Sequence, residues 1–336
     1  MRADSSEVLI LRALLGAGTG FLSGEALAGR LGISRVAVWK RIETLKRRGH
    51  AIEAVRRRGY RLVSPAPEPT EAGILARVGE GFGLRSLVLR ADSPSTNDDA
   101  ARLLAAGEEA PFACLTRRQP GGRGRRGRAW SGASEGNLYA SLAFRPDVHP
   151  RALHLLPIRA GLHICRRLGS ETGLRPGLKW PNDILLGGKK IAGMLAESTL
   201  ETDRVTALVF GVGLNVNLSR DDLPEDLRAT ATSLAIEAGR AFALEPIAAA
   251  VLEEVLRAER GCRLGLDEDR LADDWAELAC HQGETVEIRG GDGSVRTGTL
   301  AGIDRAGSLL LRAGDGTIQS YRAGDVSLRA APRRRG

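Results

Sequence analysis

Three prolines in five residues, Pro65, Pro67 and Pro69, divide this chain. A proline has no N–H to donate and a fixed φ, so residues 65–70 can continue neither a helix nor a central strand and read as a linker. The two sides of that break differ in charge. Residues 1–64 hold 13 Lys/Arg against 5 Asp/Glu, whereas the rest of the 336-residue chain holds 36 of each. The whole surplus of +8 therefore sits ahead of the prolines. Concentrated positive charge is what a polyanion partner requires, since neutralised phosphates supply most non-specific nucleic-acid affinity.

Within that basic segment a serine opens a helix at residues 6–15, Ser23 opens a second at 24–31, and Ser34 caps a third at 35–48. The short Gly32-Ile33-Ser34 connection has helix-turn-helix spacing. On the third helix Val38, Ile42 and Leu45 recur at i, i+4, i+7 and form the inward stripe. The hairpin that follows pairs residues 51–55 with 60–63 across Arg56-Arg57-Arg58-Gly59. Three helices and a basic hairpin make a winged helix-turn-helix. Ser34, Arg35, Val36, Trp39, Lys40 and Arg57 are the candidate DNA-binding residues, on the recognition helix and wing.

Beyond the prolines, helical patterns alternate with β-rich runs at residues 84–91, 138–144, 190–197 and 205–212, which predicts a layered α+β or α/β domain over 71–278. Residues 279–330 change character. Short strands at 285–289, 296–303, 308–312, 317–322 and 326–328 are separated by glycine-rich turns, as in a small β-barrel. Residues 331–336 are expected to be a frayed basic tail. No apolar run approaches the ~18 residues of a membrane span, and the first residues lack a signal-peptide pattern. The four cysteines are scattered without a Cys-x-x-Cys pair, so buried free thiols in a reducing cytosol are expected, with no metal site.

Four strings in the central domain carry chemistry. Ser95-Thr96-Asn97 begins a helix, which alone marks an N-cap. Residues 119–130, Gln-Pro-Gly-Gly-Arg-Gly-Arg-Arg-Gly-Arg-Ala-Trp, interleave glycines that expose backbone N–H groups with guanidinium donors for carboxylate or phosphate. Such a loop is expected to be mobile when empty and ordered by anions. An RNA-binding patch remains open on this string alone. Next, Lys179-Trp180-Pro181-Asn182-Asp183 is poor core material, and Gly187-Gly188 delivers Lys190 to the start of a strand. Finally, Phe210-Gly211-Val212-Gly213-Leu214-Asn215 leaves alternate positions bare, with room for a flat ligand against the backbone.

Together these strings resemble the biotin–protein ligase family, and with the winged helix the chain resembles its bifunctional ligase/biotin-operon repressor type. The resemblance implies three domains: the winged helix-turn-helix, an α+β domain with the mixed sheet of class II aminoacyl-tRNA synthetases and biotin ligases, and an SH3-like barrel. It implies ATP with Mg²⁺, biotin as substrate, a biotin carboxyl carrier protein as acceptor, operator DNA, and a homodimer when the adenylate is bound. By resemblance, Ser95, Thr96, Asn97 and Gln119 surround the ureido ring, and Arg123, Gly124 and Arg125 belong to the ligand-ordered loop. Lys190 and Arg125 are the catalytic pair, also touching biotin. Arg125, Asn182, Lys190 and Asn215 face the nucleotide, and Trp130 flanks the cleft. One departure stands out: residues 228–234 lack the aromatic that covers adenine in such an enzyme, so aliphatic contact is expected there. A lipoate–protein ligase of the same superfamily, or a biotin sensor without ligase activity, are the alternatives.

Overall fold

The computed structural model describes residues 1–132, 134–266, 268–290, 294–322 and 326–330. The first barrel turn, 291–293, and the basic tail, 331–336, lie outside the described residues.

The basic segment folds as α1 (Ser6–Gly16), α2 (Gly24–Leu31), α3 (Arg35–Arg47) and an antiparallel hairpin of β1 (Ala51–Val55) and β2 (Gly59–Ser64). Ser23 and Ser34 accept from the Ala26 and Ala37 N–H groups at 3.0 and 3.1 Å, as N-caps should. Ser5, ahead of α1, forms no such bond, and its hydroxyl is buried without a partner. The start of α1 is held by tertiary bonds instead: the Ala3 N–H donates to Arg85 O at 2.8 Å and the terminal ammonium to Leu87 O at 2.5 Å. Gly32 ends α2 at φ 64°, a left-handed geometry that glycine adopts without strain, and so sets the tight turn into α3. Val38, Ile42 and Leu45 are fully buried, and Arg57 turns the wing at φ 65°.

The proline segment has no regular structure, yet it is not a loose tether. Ala66 is buried and its N–H donates to His50 Nδ1 at 3.1 Å. Thr70 Oγ1 lies 3.2 Å from His50 Nε2 and donates to Glu245 Oε1 at 2.9 Å, while Arg77 donates to Glu245 Oε2 at 2.6 Å. Arg12 of α1 donates to the carbonyls of Leu75, Ala76 and Val78, satisfying the end of α4 (Glu71–Leu75). Composition identifies the break; side chains at a distance in sequence close it.

The central domain is a seven-stranded mixed sheet. Its strands are β3 (Ser86–Asp92), β4 (Phe112–Arg118), β5 (Leu138–Phe144), β6 (Gly177–Lys179), β7 (Asp183–Leu186), β8 (Lys189–Glu201) and β9 (Arg204–Leu214), in the order β3-β4-β5-β9-β8-β7-β6. Only β3 and β4 run parallel. Strand β5, Leu-Tyr-Ala-Ser-Leu-Ala-Phe, is buried along its whole length, because both faces of the sheet are covered. The helices α6 (Leu156–Thr172) and α8 (Leu244–Leu264) pack on one face over the main core; α5 (Thr96–Ala105) covers the other through Ala100 and Leu104 against Phe112, Ala143 and Val209. Of the remaining helices, α7 (Leu234–Ala238) follows β9, and α9 (Leu271–Leu278) leads into the barrel.

The C-terminal strands β10 (Thr285–Gly290), β11 (Val295–Ile303), β12 (Leu309–Arg312), β13 (Ile318–Tyr321) and β14 (Val326–Ala330) form the antiparallel unit of the expected barrel, ordered β13-β12-β11-β10-β14 around Val286, Ile288, Leu300, Leu309 and Leu311. Trp180 corrects the sequence reading. It is core after all, 2% exposed, and its indole N–H donates to Gly307 O at 2.9 Å, tying the barrel to the central sheet. Lys, Asn and Asp around it obscured an anchor that only the partner domain reveals.

Candidate functional site

The site lies where the start of α5, the loop after β4, the start of β8 and the end of β9 converge. One cleft is lined by Ser95, Thr96, Asn97, Gln119, Arg123, Gly124, Arg125, Trp130, Asn182 and Lys190, residues drawn from three of the four strings. The fourth string supplies the floor through Gly211 and Gly213.

A buried polar network runs through its inner end. Gln119 Oε1 accepts from both the N–H and the hydroxyl of Thr96, at 2.8 and 2.9 Å. That occupies the amide oxygen and leaves the Gln119 N–H groups as the donors available to a ligand. Ser141 Oγ lies 2.7 Å from Thr96 Oγ1 and 2.6 Å from Asn97 Oδ1, and Asn97 Nδ2 donates to Glu197 Oε2 at 2.5 Å. Every buried member is partnered, which fixes orientation before a ligand arrives. Ser141 and Glu197 escaped the sequence reading: a serine inside an apolar strand and a glutamate in an extended run carry no local signal.

Gly193 of β8 pairs with Gly213 of β9, and Leu195 with Gly211. A Cβ on Gly213 would lie 2.6 Å from the Trp130 ring, and one on Gly211 only 2.3 Å from Asn97 Oδ1. The bare strand thus makes room for flat groups, but the groups resting on it are Trp130 and the Asn97 amide. The Trp130 indole N–H (Nε1) is buried without a partner among the described residues, and Lys190 Nζ stands 5.1 Å from the ring centroid.

The loop of residues 119–132 closes on itself. The Gly124 N–H donates to Arg128 O at 2.7 Å, the Trp130 N–H to Gly122 O at 2.9 Å and the Gln119 N–H to Gly132 O at 2.6 Å. Arg126 takes a left-handed φ of 59° at its turn. Arg123 forms a two-pronged pair with Asp98 at 2.7 and 2.6 Å, which raises the guanidinium pKa and lowers that of Asp98. Arg125 reaches Asn182 Oδ1 at 3.3 Å; burial first, then the neighbouring Arg126, pushes its pKa below the usual arginine value. Lys190 is paired with Asp183 at 2.8 Å. A partly buried guanidinium and an ammonium on one wall make a local excess of positive charge suited to a substrate carrying two anionic groups.

Asn215 is placed differently from its expected position. It is buried off the cleft lining and donates to Thr232 O at 2.9 Å, anchoring residues 230–232 beside β8. The Lys190 N–H donates to Thr230 O and the Thr232 N–H to Lys190 O, at 2.8 and 3.0 Å, so the aromatic-free segment is zipped along the cleft lysine. The DNA-binding candidates are all on α3 and the wing, away from the cleft, with Arg58 and Arg61 stacked on Phe21 at 4.3 and 4.7 Å.

Comparison with known proteins follows the same division. Residues 89–215 match the Biotin/lipoate A/B protein ligase family, residues 9–61 an HTH domain and residues 281–329 the Biotin protein ligase C terminal domain. The bifunctional ligase/repressor BirA of Bacillus spizizenii is 34% identical over 324 residues, 93% of this chain and 95% of that protein. That of Escherichia coli is 32% identical over 337 residues, covering 98% and 99%. Among solved structures, a biotin protein ligase from Aquifex aeolicus in complex with biotin and ATP superposes with a TM-score of 0.62 at 29% identity, covering 73% of this chain and 99% of that one. The chain therefore belongs to the biotin protein ligase family, in its bifunctional ligase/repressor form.

Proposed function

We propose that the cleft binds biotin and ATP, joins them as biotinyl-5′-AMP and passes biotin to a lysine of a biotin carboxyl carrier protein, and that the adenylate-bound chain dimerises on operator DNA in the cytosol. The observation that carries this reading is the convergence of Ser95, Thr96, Asn97, Gln119, Arg123, Arg125, Asn182 and Lys190 on one cleft from separate segments of the chain.

Direct amide formation is slow because hydroxide is a poor leaving group. Attack of the biotin carboxylate on the α-phosphate makes a mixed anhydride and expels pyrophosphate; the acceptor amine then attacks the carbonyl and AMP leaves. The first step brings two anions together. In this reading Lys190 and Arg125 offset that repulsion and stabilise charge developing at the α-phosphate. Gln119, through its N–H groups, and the Thr96–Ser141–Asn97 network orient the ureido head, and the loop of residues 119–132 shields the anhydride from water.

Mg²⁺ enters with the nucleotide. Among the described residues no group of three or more His, Cys, Asp or Glu is placed to hold a metal. A triphosphate-bound Mg²⁺ needs only one or two protein carboxylates, which Asp183, beside Asn182 on the cleft wall, can provide. When bound it neutralises phosphate charge.

Dimerisation has a candidate surface in β8. Its pairing with β7 ends at Gly193, while the strand continues to Glu201 with only β9 beside it among the described residues. An open strand edge is a template for pairing with a second copy.

The test is ATP–pyrophosphate exchange with biotin and lipoate side by side. Exchange with biotin at least about tenfold faster than with lipoate is expected. The reverse order would move the chain to lipoate ligation, and none with either would leave a sensor.

A further inference from the structure

The recognition helix exposes an apolar pair. Val36 is 62% exposed and Trp39 53%, one turn apart in the first half of α3, the half that meets base edges in a helix-turn-helix complex. Arg35 and Lys40 flank them, both exposed, and neither side chain has a hydrogen bond or ion pair among the described residues. On the same helix Arg41 and Lys46 are instead engaged, with Glu7 and Glu43, as Arg61 is with Glu53 on the wing. Unpaired cations around an uncovered apolar pair suit a surface that is anionic outside and carries apolar groups within, which describes the major groove of duplex DNA.

Valine has no hydrogen-bonding group and tryptophan a single donor, so neither can read a base by a two-pronged bond. The apolar group the four bases present in that groove is the thymine 5-methyl. We propose that Val36 and Trp39 read thymine methyls in the operator, while Arg35 and Lys40 supply phosphate contacts. This deepens the DNA-binding reading above and rests on it.

The experiment uses the full chain with biotin and ATP. Sites are first selected from a randomised duplex pool, then remade with deoxyuridine replacing each thymine in turn, which removes only the methyl. Loss of one buried methyl is worth about 0.8 kcal/mol, or about fourfold in affinity. Wild type is expected to lose about fourfold at one or two positions of each half-site, and Trp39→Ala or Val36→Ala to lose that sensitivity there. Lys40→Ala should weaken all sites and lower the salt slope by about one, with the uracil effect intact. Both apolar side chains are exposed, so the variants are expected to fold, which an unchanged melting profile of the full chain and retained binding to the uracil-substituted sites check. Selected sites bound equally well with uracil throughout would overturn the thymine readout alone. No binding to any duplex would overturn it together with the DNA-binding reading.

Discussion

Lys190 stands at a strand start, paired with Asp183 and facing the Trp130 ring, with little packing of its own. Lys190→Ala is expected to slow adenylate formation by about 10²–10³, the usual effect of removing one positioned contact at a developing charge. The melting temperature should stay within a few degrees; near-normal pyrophosphate exchange would remove the residue from the mechanism. Gly213 is tested differently. Its missing Cβ lets Trp130 rest on the sheet, so Gly213→Ala should displace the indole and raise the biotin KM by at least about tenfold, the effect of one misplaced carbon in a binding pocket. An unchanged KM would show that the Trp130 position does not matter. At this scale much of the cleft was legible, because glycine, arginine and lysine in unusual strings have few bland uses. Asn215 was not: a polar residue after a glycine-rich strand reads as a ligand contact until the Thr232 carbonyl that it holds is seen. Asp98 and Asp183 were missed because a carboxylate beside a cation is commonplace in sequence and informative only in space.

Helices and strands were readable where periodicity was strong. The inward stripe of α3 and the Ser23 and Ser34 caps follow from spacing alone, whereas Ser5 shows that a serine ahead of a helix caps it only if its side chain turns back. The proline segment shows the converse, since no local pattern discloses that His50 and Glu245 close over it. His50 is 2% exposed, and burial, followed by the charges of Arg77 and Arg48, lowers its pKa from 6.5 to about 4. Its Nδ1 accepts from the Ala66 N–H, so protonation forfeits that bond. The folded pKa lies below the unfolded one. The stabilisation is therefore complete above pH 6.5 and is lost as pH falls toward about 4, where the native imidazole also protonates. Glu245, whose pKa burial raises, also titrates in acid, so the comparison must be between variants. His50→Gln should lower the melting temperature at pH 7.5 and close the gap to wild type by pH 4; a gap constant with pH would contradict this.

On the scale of the whole molecule, charge partition and the proline break foretold a separate N-terminal module, and short strands with glycine-rich turns the C-terminal one, but neither showed how firmly α1 is fastened to the ligase domain. Deleting residues 1–64 should abolish DNA binding, since the entire surplus of positive charge goes with them. It also strips Arg12 from the carbonyls of Leu75, Ala76 and Val78, so the remainder should melt several degrees lower while keeping pyrophosphate exchange within about tenfold. Loss of exchange in a folded remainder would mean that the module shapes the cleft. No helix among the described residues is long and apolar enough to cross a membrane. The most direct test of the central claim is a single-turnover mass measurement on the full chain with biotin, ATP and Mg²⁺. The expected result is biotinyl-5′-AMP retained by the protein, then discharged on addition of a biotin carrier domain, with AMP released and one lysine biotinylated. Failure to form that adenylate, or an adenylate that persists while the carrier stays unmodified, would contradict it.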